Sequence, residues 1–194
     1  MERLVQIDRQ FSLWLNQGNP QCLDGFWSFF SGTREWIPLY ILVMVFLIWK
    51  LGWKKGLIVI LTIILGVVLT DRLSVFVKES VLRPRPCRDA WMIAQGVRTP
   101  DGVIGGLHGF FSSHASNVFG FASGTWLGLK LNDREHSYGW YAWFVFIWAA
   151  IVSLSRVMLA AHYFGDITVG ALFGTVMGAV LAFCARWLIV KAKV

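Results

Sequence analysis

Two histidines set the chemistry this chain can attempt. His162 is followed four residues later by Asp166, a spacing that makes them neighbours on one helical face. A carboxylate on one imidazole nitrogen fixes the tautomer that leaves the other nitrogen nucleophilic. His114 follows Ser112 and Ser113 at an expected helix start, where hydroxyls cap and unpaired backbone N–H groups accept an anion. That leaves His114 to protonate a departing oxygen as general acid. Lys78, Arg85 and Arg156 can neutralise the non-bridging oxygens of a phosphate, arginine with a planar fork and lysine as a point charge. Oriented nucleophile, acid and cationic seat together describe phosphoryl transfer.

The elements that must position these groups are membrane helices. Of 194 residues, 56% are hydrophobic and 15% charged, which excludes most soluble folds. The net charge of +7 is scattered between apolar runs, pointing to anionic lipid or a phosphorylated substrate rather than to nucleic acid. Cys22, Cys87 and Cys184 lack the spacing of a zinc site or a disulfide framework, and no metal or other cofactor is implied. The first 35 residues lack the apolar core and cleavage site of a secretory signal, so no processing is expected. A helix needs about 20 apolar residues to cross a bilayer, and windows near 36–53, 56–78, 114–131, 139–158 and 162–190 approach that. Leu4, Ile7, Phe11, Trp14 and Leu15 recur at helical spacing, as in a helix lying in the membrane interface. The fold expected is all-α: a polytopic transmembrane helix bundle with an N-terminal interfacial helix. It has five membrane helices, or six if Phe26–Phe30 makes a short or re-entrant span. Residues 1–194 read as a single integral-membrane domain, with 1–35 interfacial and 79–113 an outward-facing active-site loop.

Basic residues in short loops orient the bundle. Lys50, Lys54, Lys55, Lys130, Arg134, Arg186, Lys191 and Lys193 crowd one side, which is therefore cytoplasmic. Lys78, Arg85, His114, Arg156, His162 and Asp166 then all fall at outward helix ends. Any one of them could be an ordinary flanking charge, but flanking residues need not include two histidines. Gly120, Gly124 and Gly128 follow His114, and Gly170, Gly174 and Gly178 follow His162. These doubled GxxxG seams let two helices touch and bring the histidines together.

The same residues resemble a known three-part signature. Lys78 is followed after six residues by Arg85-Pro86, FSSH stands at 111–114, and SRVMLAAHYFGD runs from Ser155 to Asp166. This is similar to the type 2 phosphatidic acid phosphatase superfamily, with Lys-x6-Arg-Pro, Pro-Ser-Gly-His and Ser-Arg-x5-His-x3-Asp in that order. The middle block departs, with Phe111 for proline and Ser113 for glycine. The resemblance implies metal-independent hydrolysis of a lipid phosphate monoester or diphosphate through a phosphohistidine on His162, with Asp166 orienting it. It also implies Lys78, Arg85, Ser112, Ser113 and Arg156 around the phosphate and His114 protonating the leaving group. Substrates it suggests are undecaprenyl diphosphate, phosphatidylglycerol phosphate, phosphatidic acid and lipid A. The expected location is a bacterial inner membrane with the site facing the periplasm or exterior.

Other readings fit less of the pattern. A lipid phosphotransferase would use the same scaffold with a second lipid as acceptor. A transporter would place charges at mid-membrane in repeated or broken helices. A metal hydrolase using His114, His162 and Asp166 would sit in a crowded cationic neighbourhood, and a vanadate-dependent peroxidase shares the signature in water-soluble proteins. Asp71, two helical turns before Lys78, could hold that ammonium or pair with another polar group. His108 reads as a loop residue, and Cys22 and Cys87, on the same outward side, either bridge the N-terminal segment to the loop after Pro86 or, as expected here, are thiols too far apart to meet.

Overall fold

The computed structural model describes residues 2–103 and 105–193. Met1 and Val194, the ends of the expected domain, and Ile104 within the 79–113 loop lie outside the described residues. Eight α-helices carry the described chain: α1 (Glu2–Gly18), α2 (Asp24–Ser31), α3 (Ile37–Leu51), α4 (Trp53–Val81), α5 (Ala90–Ala94), α6 (Ser113–Asn132), α7 (Gly139–Met158) and α8 (Phe164–Lys191). Pro38 sits in the first turn of α3, where its missing N–H costs nothing. Gly52 at φ +76° ends that helix and turns the chain directly into α4, a left-handed conformation glycine adopts without steric cost.

Among the described residues, α4, α7 and α8 are long and apolar enough to cross a membrane. Helix α3 packs on α4, and α6 packs against α3, α4, α7 and α8. That central place explains why α6 is the least uniformly apolar of the helices α3, α4, α6, α7 and α8. It buries Ser116, Ser123, Gly124, Thr125 and Gly128, and the hydroxyls of Ser123 and Thr125 are served internally while that of Ser116 has no partner among the described residues. Thr125 Oγ1 donates to Phe121 O at 2.8 Å, Ser123 Oγ donates to Thr175 O at 3.1 Å, and Tyr141 donates to Thr125 Oγ1 at 2.7 Å. Val118 of α6 and, around it, Leu47, Val59, Val145, Trp148 and Val152 belong to the main apolar core. Trp49, Phe76, Trp143, Leu172 and Phe183 point outward, as a lipid-facing surface requires.

The glycine seam is where the sequence placed it. A Cβ on Gly174 would fall 2.0 Å from Ser116 O, and one on Gly178 would fall 2.3 Å from Gly120 O, so α6 and α8 meet backbone to backbone. Gly128 departs from the expectation, because it faces Val59 of α4 instead of α8. The expected windows match α3, α4, α6, α7 and α8 within a few residues. Helix α2, at eight residues, rises about 12 Å and does not cross a bilayer by itself.

Helix α1 inverts the amphipathic pattern of a soluble protein. Its polar Ser12 and Asn16 are buried against the bundle, while Leu4 and Trp14 are 72% and 67% exposed. Cys22 is exposed, Cys87 is buried, and no disulfide joins them.

Candidate active site

Four chain segments build the site at one end of the bundle. After α4, residues 83–85 run antiparallel to 107–109: Pro84 and His108 form an isolated bridge, Arg85 N donates to Leu107 O at 3.2 Å, and Gly109 N donates to Arg83 O at 2.9 Å. His108 is thus a loop residue, as expected. At the end of α7 the chain folds back on itself, with Ala161 N and His162 N both donating to Arg156 O at 2.8 and 3.1 Å. The starts of α6 and α8 are joined directly, because Ser112 N donates to Asp166 O at 3.1 Å. Ser112 is the N-cap of α6, and its Oγ accepts from Ala115 N at 3.4 Å.

All eight residues singled out from the sequence come to this end. Lys78 Nζ donates to Ser113 Oγ at 3.0 Å. Arg85 Nη1 lies 3.0 Å from His162 Nε2 and donates to Ala161 O at 3.0 Å. Arg156 Nη1 contacts Ser31 Oγ at hydrogen-bond range. His114 Nε2 faces Thr33 Oγ1 at 3.4 Å. Both imidazoles lie within the fields of Lys78, Arg85 and Arg156. One reason behind the expectation needs correcting. His162 and Asp166 are neighbours, with Nδ1 3.6 Å from Oδ2, but not through i,i+4 helical spacing. His162 precedes α8, and Asp166 reaches back as an N-terminal cap whose Oδ2 also accepts from Tyr163 N at 3.0 Å.

Charge is distributed unevenly here. Arg85 and Arg156 are 8% and 7% exposed, and the Nε of each is buried without a hydrogen-bond partner among the described residues. Neither they nor Lys78 has a carboxylate within 4.0 Å among those residues. Burial holds the Arg85 guanidinium below its ordinary proton affinity, with Cys87 and Asp166 offsetting this in part and Arg88 adding to it; it stays charged at neutral pH. Burial, then Arg85, Arg156 and Lys78, drive His162 well below the usual imidazole range, so it is neutral. Uncompensated buried cations are costly, and a bound anion would relieve them. Asp166, the carboxylate beside His162, is already taken by Arg83 Nη1 at 2.7 Å. Among the described residues no three His, Cys, Asp or Glu converge as metal ligands.

Sequence reasoning missed Arg83, Asp8, Ser31 and Thr33. The last three come from the N-terminal segment, far from every motif, and only the clustering of Asp8, Ser12 and Asn16 on one face of α1 could have signalled buried partners. Asp71 pairs with Asn117 Nδ2, at 3.2 Å.

Residues 55–189 match the PAP2 superfamily. The chain belongs to that superfamily. It is 32% identical over 194 residues to the lipid A 4'-phosphatase of Bacteroides thetaiotaomicron, covering 100% of this chain and 83% of that protein. It is 31% identical over 179 residues to the lipid A 4'-phosphatase of Porphyromonas gingivalis, covering 92% and 72%. The fold is shared with two crystal structures. One is a transmembrane PAP2 type phosphatidylglycerolphosphate phosphatase from Bacillus subtilis, with TM-score 0.66, 18% identity and coverage of 98% of this chain and 88% of that one. The other is Aquifex aeolicus LpxE, with TM-score 0.61, 22% identity and coverage of 89% and 92%. This PAP2 protein is therefore an integral-membrane lipid phosphatase, a hydrolase whose family requires no metal.

Proposed function

We propose that the chain removes a phosphate monoester from lipid A through a phosphohistidine on His162. The observation that carries the reading is the set of three cations, Lys78, Arg85 and Arg156, gathered around two histidines with no carboxylate within 4.0 Å of any of the three among the described residues. A phosphate seated there takes the place of the missing counter-ions, and Ser112 and Ser113 at the start of α6 bring hydroxyls to it. Arg85 Nη1 donates toward His162 Nε2, so Nε2 carries the lone pair and Nδ1 carries the proton facing Asp166. In-line attack by Nε2 on phosphorus breaks the ester P–O bond, and His114 gives its proton to the departing lipid oxygen. Water then cleaves the phosphorus–nitrogen bond and gives a proton to His114, releasing phosphate and restoring both histidines.

The lipid chemistry has support beside the histidines. A cavity of about 310 Å³ starts at His114, Thr33 and Asn117 and continues between Trp36, Tyr40, Met44, Val67 and Phe121. Its polar end suits a headgroup and its apolar walls suit acyl carbon. Lipid A is favoured over the other candidates because both relatives above 30% identity carry that name. In this reading residues 1–194 act as one membrane domain of five crossings, α3, α4, α6, α7 and α8. Helix α1 lies at headgroup level, and the 79–113 loop faces the periplasm of a bacterial inner membrane.

Phosphate release from lipid A, undecaprenyl diphosphate, phosphatidylglycerol phosphate and phosphatidic acid, with chelator present, tests substrate and metal independence together. We expect lipid A to be turned over fastest, and rapid quenching to trap acid-labile phosphate on protein. His162→Ala is expected to insert, fold and show no turnover. Multiple turnover by that variant, or activity lost to chelator and restored by zinc, overturns the mechanism. Preference for another lipid overturns only the substrate.

A further inference from the structure

Helix α1 grips the start of α8 with two side chains. The first N–H groups of an α-helix have no partner within it. In α8 they are taken from outside: Phe164 N donates to Ser12 Oγ and Gly165 N donates to Asp8 Oδ1, each at 2.8 Å. Gly165 leaves room for the carboxylate, since a Cβ there would fall 2.7 Å from Asp8 Oδ2. That second oxygen receives Arg83 Nη2 at 2.6 Å, while Arg83 Nη1 reaches Asp166 Oδ1 at 2.7 Å. The same guanidinium lies 4.0 Å over the ring of Tyr163. The Tyr163 hydroxyl donates to Asp89 at 2.6 Å, and Arg9 of α1 closes on Asp89 at 2.7 Å. Burial resists ionisation of Asp89, but the hydrogen bonds from Tyr163 and Trp91 N and the charge of Arg9 hold its carboxyl below the ordinary range.

We propose that Asp8 and Arg83 are a positioning pair for catalysis, through which α1 holds Asp166 aimed at His162. With Oδ1 of Asp166 held by Arg83, the carboxylate cannot rotate, and Oδ2 is left facing His162 Nδ1. Arg83 is fixed in turn because its fork spans two carboxylates from different helices. Asp8 touches neither histidine nor the three cations, so it acts on the direction of the nucleophile and not on the phosphate seat. The inference rests on the assignment of His162 as nucleophile and Asp166 as its orienting group.

The test compares purified wild type with Asp8→Ala, Arg83→Lys and their double variant. The probes are bisphosphorylated lipid A and, in parallel, phosphatidic acid in mixed micelles. Asp8→Ala is expected to lower kcat about tenfold with KM within about twofold. Protection against melting by inorganic phosphate is expected to stay at the wild-type level, because the cations are untouched. Formation of the quench-trapped phosphoenzyme slows by the same factor. Arg83→Lys keeps the charge but not the fork and behaves alike. The double variant falls no further than about twofold below the weaker single, since both act on one carboxylate. Asp24→Asn breaks the Arg98–Asp24 ion pair, of the same 2.6 Å length elsewhere, and is expected to leave kcat unchanged. Wild-type kcat in Asp8→Ala, a loss confined to KM, losses that multiply in the double variant, or lost phosphate protection each overturn the proposal. Turnover by His162→Ala or Asp166→Ala would instead remove the mechanism on which it stands.

Discussion

Arg83 and Arg85 stand two residues apart and live in opposite electrostatic worlds. Arg83 spans Asp8 and Asp166. Arg85, more deeply buried, meets no carboxylate among the described residues and turns toward the neutral ring of His162. The contrast extends outward. Arg9 and Arg98 are paired with Asp89 and Asp24, whereas Arg156 and Lys78 have no carboxylate within 4.0 Å among the described residues. Because a buried charge without a partner is expensive, such a group persists where its ligand supplies the partner. Paired arginines build this end of the protein, and under the proposed function the unpaired ones receive the phosphate.

The contrast breaks first, and most visibly, in activity. Arg156→Met and Arg85→Met are each expected to lower kcat/KM by about 10²-fold or more, because they remove preorganised charge from the transferring phosphoryl group. In the ligand-free protein the same substitutions are expected to raise the melting temperature, since an apolar chain of similar length replaces a charge with nothing to neutralise it. Phosphate-release kinetics and melting in detergent check both halves. A variant that loses activity and stability together would mean these cations are structural after all. The paired arginine predicts the reverse sign of stability. Arg83→Met strands two carboxylates, Asp166 fully buried and Asp8 partly so, at an expected cost of about 3 kcal/mol.

This division explains what the sequence could and could not disclose. Periodicity and apolar runs were enough for the long helices, and two glycine ladders were enough for the α6–α8 seam, because both are local patterns with one dominant physical cause. Motif residues were legible because their types have few other uses inside a bilayer. Arg83 and Arg85 share the segment RPRP, and nothing in that string says which guanidinium keeps its charge free. The answer comes from Asp8, 75 residues earlier. Thr33 and Ser31 were invisible for the same reason, being small polar residues that acquire meaning only from the histidine and arginine they meet. The His162–Asp166 pairing was read correctly from an argument the fold does not use, since the turn before α8, not the helix, brings them together.

A gentler probe titrates the cation cluster without mutation. If Lys78, Arg85 and Arg156 lack only an anion, inorganic phosphate or vanadate binds the folded state alone and stabilises it. At one hundred times the dissociation constant that amounts to about 2.7 kcal/mol. Melting curves against phosphate should rise in wild type and stay flat in Arg156→Met. Vanadate, whose trigonal-bipyramidal form imitates the in-line transition state, should protect at lower concentration than phosphate and inhibit turnover. Equal protection of wild type and Arg156→Met would place the anion elsewhere.

The smallest effect belongs to Arg98, whose ion pair touches neither histidine. Arg98 joins α2 to the loop after α5: Nη2 meets Asp24 Oδ2 at 2.6 Å, its backbone N donates to Asn16 Oδ1 at 2.8 Å, and Asp24 Oδ1 accepts from Asn19 Nδ2 at 3.1 Å. Both members of the ion pair keep about a quarter of their side-chain surface in solvent, so water compensates much of what the pair supplies. Asp24→Asn preserves the side chain's shape and one acceptor oxygen while deleting the charge and turning the other oxygen into a donor. The expected cost is below about 1 kcal/mol, read as a shift of a few degrees at most in the melting temperature, with kcat and KM at wild-type values. A large loss of activity here would mean that the whole loop from Arg83 to Phe111, and not only its unpaired cations, is tuned for the reaction. In that case the line drawn between building and binding arginines would have to move.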